Sequence, residues 1–150
     1  MRIIKLTVFI AVLLLSVNAC CTRKDCGNLD EYLKDIRFYN FVEGELDTII
    51  IVSYLNASNP STKIDSSVTQ VYFEGDYYVA RLNTQINTNL DYLINLPSTG
   101  QLFTLTEFEI ERDGCNTCFP YRPKSDYFNV LKEYQINGQK QSGQIIKIYK

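Results

Sequence analysis

The sequence predicts an all-β fold, an antiparallel β-sandwich of about seven strands. Short apolar segments recur along the chain, separated by turn-forming residues roughly every 8–15 positions. The chain holds 11 tyrosines and 8 phenylalanines but no tryptophan or histidine, which is typical of strands with aromatic cross-strand pairs. Two packed sheets are the simplest way to bury such segments. The predicted strands are Leu46–Leu55, Val68–Phe73, Tyr77–Leu82, Leu90–Leu96, Gln101–Glu111, Phe128–Ile136 and Gln144–Tyr149.

The first predicted strand, LDTIIIVSYL (Leu46–Leu55), is β-branched and apolar on both faces at its centre. Such a strand is typical of the buried centre of a sheet. The turn-forming residues ASNPST, at positions 57–62, end it. The next two strands flank Glu74, Gly75 and Asp76, so we expect a β-hairpin in which Gly75 takes a positive φ.

The later strands show clearer alternation. Apolar residues occupy every second position from Leu90 to Leu96, which predicts a half-buried strand. The strand Gln101–Glu111 has one face that is apolar or carries threonine and another that is apolar first and then acidic. Asn137-Gly138 predicts a turn, which opens a polar turn region that ends at Gly143. The first face of Gln101–Glu111 holds Leu102, Thr104, Thr106, Phe108 and Ile110, and the second holds Phe103, Leu105, Glu107, Glu109 and Glu111.

The start of the domain is open to two interpretations. Asn28 caps a short N-terminal helix in one of them, with Glu31 three residues later and apolar residues on one helical face. The alternative is a strand that begins near Ile36. Immunoglobulin-like and transthyretin-like sandwiches both fit the order of elements. The side chains that we expect to be buried are Ile50, Val52, Tyr92, Ile94, Phe108, Val130 and Ile148.

The N-terminus has the pattern of an export signal. Arg2 precedes an apolar stretch from Ile3 to Val17, and Lys5 lies within it. The stretch is shorter than the ~20 residues of a membrane span. Ala19, a small residue, then stands directly before Cys20.

These residues resemble the signal of bacterial lipoproteins, in which an aliphatic, a variable and a small residue precede a cysteine. Val17, Asn18, Ala19 and Cys20 fill those places. The resemblance implies that Cys20 is lipidated and becomes the first residue of the mature chain. It implies a protein of the bacterial cell envelope, anchored by lipid at the outer membrane and either periplasmic or surface-exposed. An ordinary secretory signal with an incidental cysteine is the alternative.

This interpretation divides the chain into a signal peptide at 1–19, a lipidated tether at 20–27 and one β-sandwich domain at 28–150. Loss of the signal leaves 13 basic and 17 acidic residues, a formal charge of −4. A nucleic-acid-binding domain is typically basic, so nucleic acid is not expected as a partner.

Four thiols remain beside the lipidated cysteine, and no role is assigned to Cys21. Exported domains fold under oxidising conditions, which favours disulfides. We expect Cys26 to pair with Cys115 or Cys118, while a local Cys115–Cys118 bridge is the alternative. The C-x-x-C spacing also occurs in redox and zinc sites, but a loop setting and the absence of histidine disfavour both. No metal or cofactor is expected.

The residues that catalyse hydrolysis in many enzymes are missing, because a chain without histidine has no Ser-His-Asp or Cys-His set. Glu107, Glu109 and Glu111 share a strand face. In one interpretation this row binds a cation or a basic partner, or provides the carboxylate pair of a glycosidase. A solvated sheet face with Lys or Arg on the next strand is the favoured interpretation.

The segment GCNTCFPYRPKSDYF (114–128), which we name the cysteine loop, is the candidate partner-binding segment. Prolines stiffen it, and tyrosine and arginine are frequent interface anchors. The alternative is that its aromatic residues cover one end of the sandwich. The binding candidates are Phe119, Tyr121, Arg122 and Tyr127.

Together these features predict a non-enzymatic lipoprotein that binds a protein or cell-envelope partner or supports an envelope assembly. An immunity or inhibitor lipoprotein that blocks another protein with the cysteine loop is one alternative. A carboxylate-dependent envelope hydrolase is the other, and it would need two convergent carboxylates in a deep cleft.

Overall fold

The computed structural model describes residues 33–55, 62–83, 85–114 and 127–150, and the predicted all-β sandwich class is confirmed in them. These residues contain no α-helix. Ten strands lie within these described ranges, in place of the seven expected. They are β1 Asp35–Tyr39, β2 Ile49–Tyr54, β3 Lys63–Thr69, β4 Val71–Phe73, β5 Tyr78–Arg81, β6 Asp91–Leu96, β7 Gln101–Gly114, β8 Tyr127–Ile136, β9 Gln139–Ser142 and β10 Ile146–Tyr149.

The additional strands have identifiable causes. The strand alternative near Ile36 is correct, since Ile36 lies in β1 after a turn at Leu33 and Lys34, whereas residues 28–32 lie outside the described part. The single strand predicted for Val68–Phe73 is divided at Gln70 into β3 and β4. The polar turn region after Ile136 contains β9, because strand pairing uses backbone groups and an edge strand needs no apolar side chains.

The strands form two sheets, one with the order β10-β1-β5-β4 and one with the order β3-β2-β6-β7-β8-β9. The pairs β1–β5, β4–β5, β2–β3, β2–β6, β6–β7 and β8–β9 are antiparallel, whereas β1 and β10 run parallel. The chain passes from the six-stranded to the four-stranded sheet twice, once at Gln70 and once between β9 and β10. These two crossings join the sheets at opposite edges.

The inward side chains of both sheets form one core. Phe41 follows β1, and its ring meets Phe38 and Phe103 edge-on, at centroid separations of 5.7 and 6.3 Å. Tyr92, Ile94, Val130 and Ile148 are buried, as the sequence predicted. The largest fully buried side chains are Tyr134, Phe38, Leu33, Ile36, Leu46, Ile49, Ile86, Ile94, Leu96, Leu105, Leu131 and Ile146.

The faces predicted for β2 are wrong. Ile49 and Ile51 point into the core, whereas Ile50 and Val52 are half-buried on the outer face. The alternation of β2 could not reveal this phase, since apolar residues occupy both faces at the centre of the strand. One residue of register exchanges the two faces of a strand.

The faces predicted for β7 also need correction, because the strand changes phase at Glu107. Phe103 and Leu105 are buried before this residue, while Phe108 and Ile110 pack against the core after it. Glu107 itself has φ of 51°, in the left-handed region. This is the backbone signature of a β-bulge, in which one extra residue exchanges the two faces. Phe108 is therefore half-buried, and Leu102 is exposed.

Both predicted turns are confirmed. Gly75 has φ of 81° between β4 and β5, and the Glu74 N–H donates to the Tyr77 carbonyl at 2.9 Å. Asn137 and Gly138 connect β8 to β9 with φ of 51° and 76°, as a two-residue hairpin turn requires.

Contacts divide the chain into two units. The larger comprises Asn28–Glu111 and Asn129–Lys150 and holds most of both sheets. The smaller comprises Met1–Gly27 and Arg112–Phe128, of which residues 112–114 and 127–128 are described.

Adjacent isoleucines on β2 provide a test of these faces. We expect Ile51→Ala to lower the free energy of unfolding by about 2–5 kcal/mol, because it empties a core position. Ile50→Ala removes the same atoms from the half-buried outer face and should cost about 1 kcal/mol. Chemical denaturation of both variants measures the difference, and an equal loss would contradict the assignment.

Candidate functional site

Most residues that the sequence singled out for function lie outside the described part of the chain. The lipidation, disulfide and most of the partner-binding assignments therefore stay predictions. The residues concerned are Cys20, Cys26, Cys115, Cys118, Phe119, Tyr121 and Arg122.

Tyr127 is the described member of the binding candidates. It is the first residue of β8 and is half-buried. The guanidinium carbon of Arg112, on β7, lies 5.1 Å from the centroid of its ring, which is cation–π geometry. This contact joins the two strand ends that carry the cysteine loop and restricts the ring of Tyr127.

The glutamate row on β7 has the solvated arrangement that the sequence favoured. The Glu109 carboxylate forms an ion pair of 2.9 Å with Lys132 on β8, and both side chains are about half exposed. Glu107 accepts a hydrogen bond from the Gln135 side chain. Glu109 is thus paired with a lysine of the next strand, and Glu107 and Glu133 line a small pocket beside it together with Lys140.

The same ion pair shifts two pKa values. The hydrogen bond and charge of Lys132 lower the pKa of Glu109, and Glu109 raises the pKa of Lys132. A lowered carboxylate pKa adds stability above the unfolded-state pKa, and this stability is lost as the pH falls through the folded-state pKa. Because both groups are exposed, solvent screening keeps this contribution small.

The outer side of the six-stranded sheet carries a group of neighbouring apolar side chains. Five aliphatic side chains, which we name the aliphatic face, project from four adjacent strands, β3, β2, β6 and β7. Val68 is 64% exposed and Leu102 is 55% exposed, whereas the other three are half-buried. The aliphatic face consists of Ile50, Val52, Val68, Leu93 and Leu102.

Strand register makes the aliphatic face continuous. Val68 pairs with Ile50, and Val52 pairs with Leu93. Leu102 pairs with Asn95, the neighbour of Ile50 in the same row. The polar positions opposite these residues are uncharged, namely Ser66, Asn95 and Thr104.

The aliphatic face had a signal in the sequence, since the centre of LDTIIIVSYL is apolar on both sides. The sequence interpretation took this as burial on both faces. In the described structure the second sheet covers one face, and the other face meets solvent. Sequence reasoning therefore found the apolar residues but missed that they form a surface.

Three tyrosines form a row on the outer side of the four-stranded sheet. Tyr39 stacks on Tyr149 at a centroid separation of 5.0 Å, and Tyr77 lies 5.2 Å from Tyr39 on the other side. The Arg37 guanidinium covers Tyr77 at 4.7 Å. These are the aromatic cross-strand pairs that the composition predicted, and such pairs stabilise the pairing of strands. Because these rings pack against one another, we assign the tyrosine row a role in stabilising the sheet.

Comparisons with known proteins give no relative: no family model matches the chain, and no curated protein or solved structure is significantly similar to it. The sheet topology and the exposed side chains together define an all-β sandwich domain with an exposed aliphatic sheet face. Within residues 33–55, 62–83, 85–114 and 127–150, no helix has the length and apolar character needed to cross a bilayer.

The ion pair on β7 and β8 can be tested by titration. We expect Lys132→Ala to raise the pKa of Glu109, because the variant removes the hydrogen bond and the charge that lower it. Carboxyl-detected NMR titration of both proteins measures the shift. Lys147→Ala, which removes a lysine from β10, is the control and should leave Glu109 unchanged. An unchanged Glu109 pKa in Lys132→Ala would show that the pair is absent in solution.

Proposed function

We propose that the chain is an exported bacterial lipoprotein, anchored to the cell-envelope membrane through Cys20, whose β-sandwich binds another protein without catalysing a reaction. The lipobox-like residues Val17–Cys20 support the anchor. The aliphatic face supports the binding function and is the observation that carries it.

An exposed apolar patch of this kind favours a protein partner. Covering it removes aliphatic surface from water, which contributes roughly 25 cal/mol for each Å² buried. Contiguous exposed apolar patches commonly mark interaction sites in soluble domains. The aliphatic face lies on a sheet and offers uncharged polar neighbours at its centre, as does the core of a protein–protein interface.

The anchor and the aliphatic face would act together. Two or three acyl chains on one cysteine hold a protein stably at a membrane, whereas one chain binds only marginally. A domain held there meets membrane-bound partners at a high effective concentration. A modest aliphatic contact therefore suffices for a stable envelope complex.

A second candidate function is that of an immunity or inhibitor lipoprotein. The contact between Arg112 and Tyr127 favours it, since it restrains an aromatic side chain where the cysteine loop joins β8. Inhibitory loops bind tightly when their side chains are ordered in advance. The hydrolase alternative has less support, because Glu109 is paired with Lys132.

The anchor assignment predicts that Cys20→Ala abolishes labelling of the protein by an alkyne fatty acid in growing cells. Loss of the thiol removes the atom that accepts the diacylglyceryl group, so the signal peptide should also remain attached. Gel mobility and click-detected fluorescence measure both effects. Cys21→Ala is the matched control and should be labelled normally. Labelling that survives in Cys20→Ala but is lost in Cys21→Ala would move the anchor by one residue.

The binding assignment predicts site-specific photo-crosslinking from the aliphatic face. A benzophenone amino acid at Val68 or Leu102 of the full chain should give a discrete adduct in intact cells, because a bound partner would cover these side chains. The same probe at Gln139, on the polar edge strand β9, is the control and should give none. Immunoblotting and mass spectrometry identify the adduct.

Two outcomes would contradict the assignment. Adducts of equal intensity from all three positions would indicate random collisions. An adduct that forms only with a probe at Tyr127 would favour the inhibitor interpretation over the aliphatic face.

A further inference from the structure

A cleft of about 500 Å³ opens beside β4, between that strand and the loop from Glu43 to Asp47. Its walls come from both segments, and its described lining residues belong to the larger unit. The volume lies within the range of about 300–1,000 Å³ that ligand pockets occupy. We name it the Phe73 cleft, after its most exposed aromatic residue.

Phe73 points toward the inner side of the four-stranded sheet but is not covered there. Strand register pairs Val71 with Ala80, which is fully buried, and Phe73 with Tyr78, so Val71 and Phe73 share the inward face. Val71 packs against the core, whereas Phe73 remains 62% exposed. The cleft is thus a gap at the edge of the sandwich, where the side chain of an inward-facing aromatic residue is exposed.

The Phe73 and Tyr78 rings form the aromatic side of the cleft. Their centroids lie 5.0 Å apart at an interplanar angle of 50°. The negative face of such a ring attracts cations. An aliphatic stem can pack on the same surface, because the rings are apolar.

Two exposed acidic residues of the loop lie on the other side. Glu43 and Asp47 line the cleft, and no lysine or arginine is among its described lining residues. Nearby basic side chains have other acidic partners: Arg81 pairs with Glu74 at 2.7 Å, and Lys150 pairs with Glu45. The cleft therefore combines a negative rim with an aromatic wall.

The loop that carries the carboxylates is held in place. The Glu45 carboxylate accepts a hydrogen bond from the Val42 N–H at 3.0 Å and another from Lys150. Gly44 has φ of 88°, a conformation that glycine adopts without strain. The backbone that carries Glu43 and Asp47 is thus held by Glu45 before a ligand arrives, which reduces the entropy lost on binding.

We propose that the Phe73 cleft binds a basic side chain, lysine or arginine, presented by a protein partner. The aliphatic stem lies against Phe73 and Tyr78, and the cationic head reaches Glu43 and Asp47. Charge complementarity and the uncovered aromatic ring both select this chemistry over an anion or a neutral ligand. The inference stands independently of the aliphatic face, which belongs to the outer side of the other sheet.

The test uses the detergent-solubilised full chain labelled with 4-fluorophenylalanine, with the Phe73 resonance assigned through Phe73→Leu. Nα-acetyl-arginine amide is the probe, and Nα-acetyl-citrulline amide, its neutral isostere, is the comparison. We expect a saturable shift of the Phe73 ¹⁹F resonance with the arginine probe and none with the citrulline probe. Added salt should weaken the interaction, because the rim is solvent-exposed.

Matched variants separate the cleft from general charge effects. Glu43→Gln with Asp47→Asn should weaken arginine binding at least about fivefold, since each exposed ion pair contributes modestly. Glu107→Gln with Glu111→Gln removes the same charge from β7 and should leave the affinity within about twofold. Near-ultraviolet circular dichroism checks that both double variants remain folded.

Three results would overturn the proposal: an equal shift with citrulline, equal weakening by both double variants, or no saturable shift of Phe73. None of these depends on whether a partner binds the aliphatic face. Crosslinking from Val68 with no arginine binding at Phe73 would therefore reject this inference alone.

Discussion

The hydroxyl of Tyr134, on β8, binds the backbone at the start of β10, and the position of β10 depends on it. Its ring is almost fully buried in the core, and its oxygen bonds the chain on both sides of the start of β10. The hydroxyl donates to the Ile145 carbonyl at 3.0 Å and accepts from the Lys147 N–H at 2.8 Å. A strand of the six-stranded sheet thereby fixes a strand of the four-stranded sheet. Burial of the phenol also raises its pKa. Once β10 is placed, it can pair in parallel with β1 and bring Ile146 and Ile148 into the shared core.

The elements that were predictable from sequence are those whose signals are local. The alternation of β6 places Tyr92 and Ile94 inward as expected, and the turns at Gly75 and Asn137-Gly138 need only their own backbone conformations. The predictions that failed concern features that residue types in the segment itself do not determine. Which face of β2 is buried depends on where the second sheet packs. The change of face at Glu107 depends on a β-bulge that no residue type in the strand predicts. The polar strand β9 forms because β8 supplies its backbone partners.

The candidate surfaces follow the same division. Sequence patterns identified the apolar residues of β2, yet burial on both faces was inferred, because a single strand does not show how many layers will cover it. The Phe73 cleft could not be predicted, because it arises where the loop at Glu43 stands beside the end of β4. The glutamates of β7 were interpreted correctly, since an exposed alternating row on an antiparallel sheet is most often solvated and paired.

The sheet edges and the sheet faces of this domain are treated differently, and this difference indicates how a partner would approach. Unpaired edge strands invite the addition of a foreign strand. Here edge strand β9 is wholly polar. On edge strand β3 the Ser66 N–H donates to the Asp65 carboxylate at 2.7 Å. At edge strand β10 the Tyr134 hydroxyl bonds one backbone carbonyl and one backbone N–H. The aliphatic face has no comparable protection, since Val68 and Leu102 remain more than half exposed without a neighbouring charge in their rows. Protection of these three edges lowers the risk of non-specific strand pairing there, whereas β4, the fourth edge strand, is apolar. The open face permits side-chain packing against a complementary surface. We therefore propose that a partner packs against the side chains of the six-stranded sheet instead of adding a strand at one of these three edges.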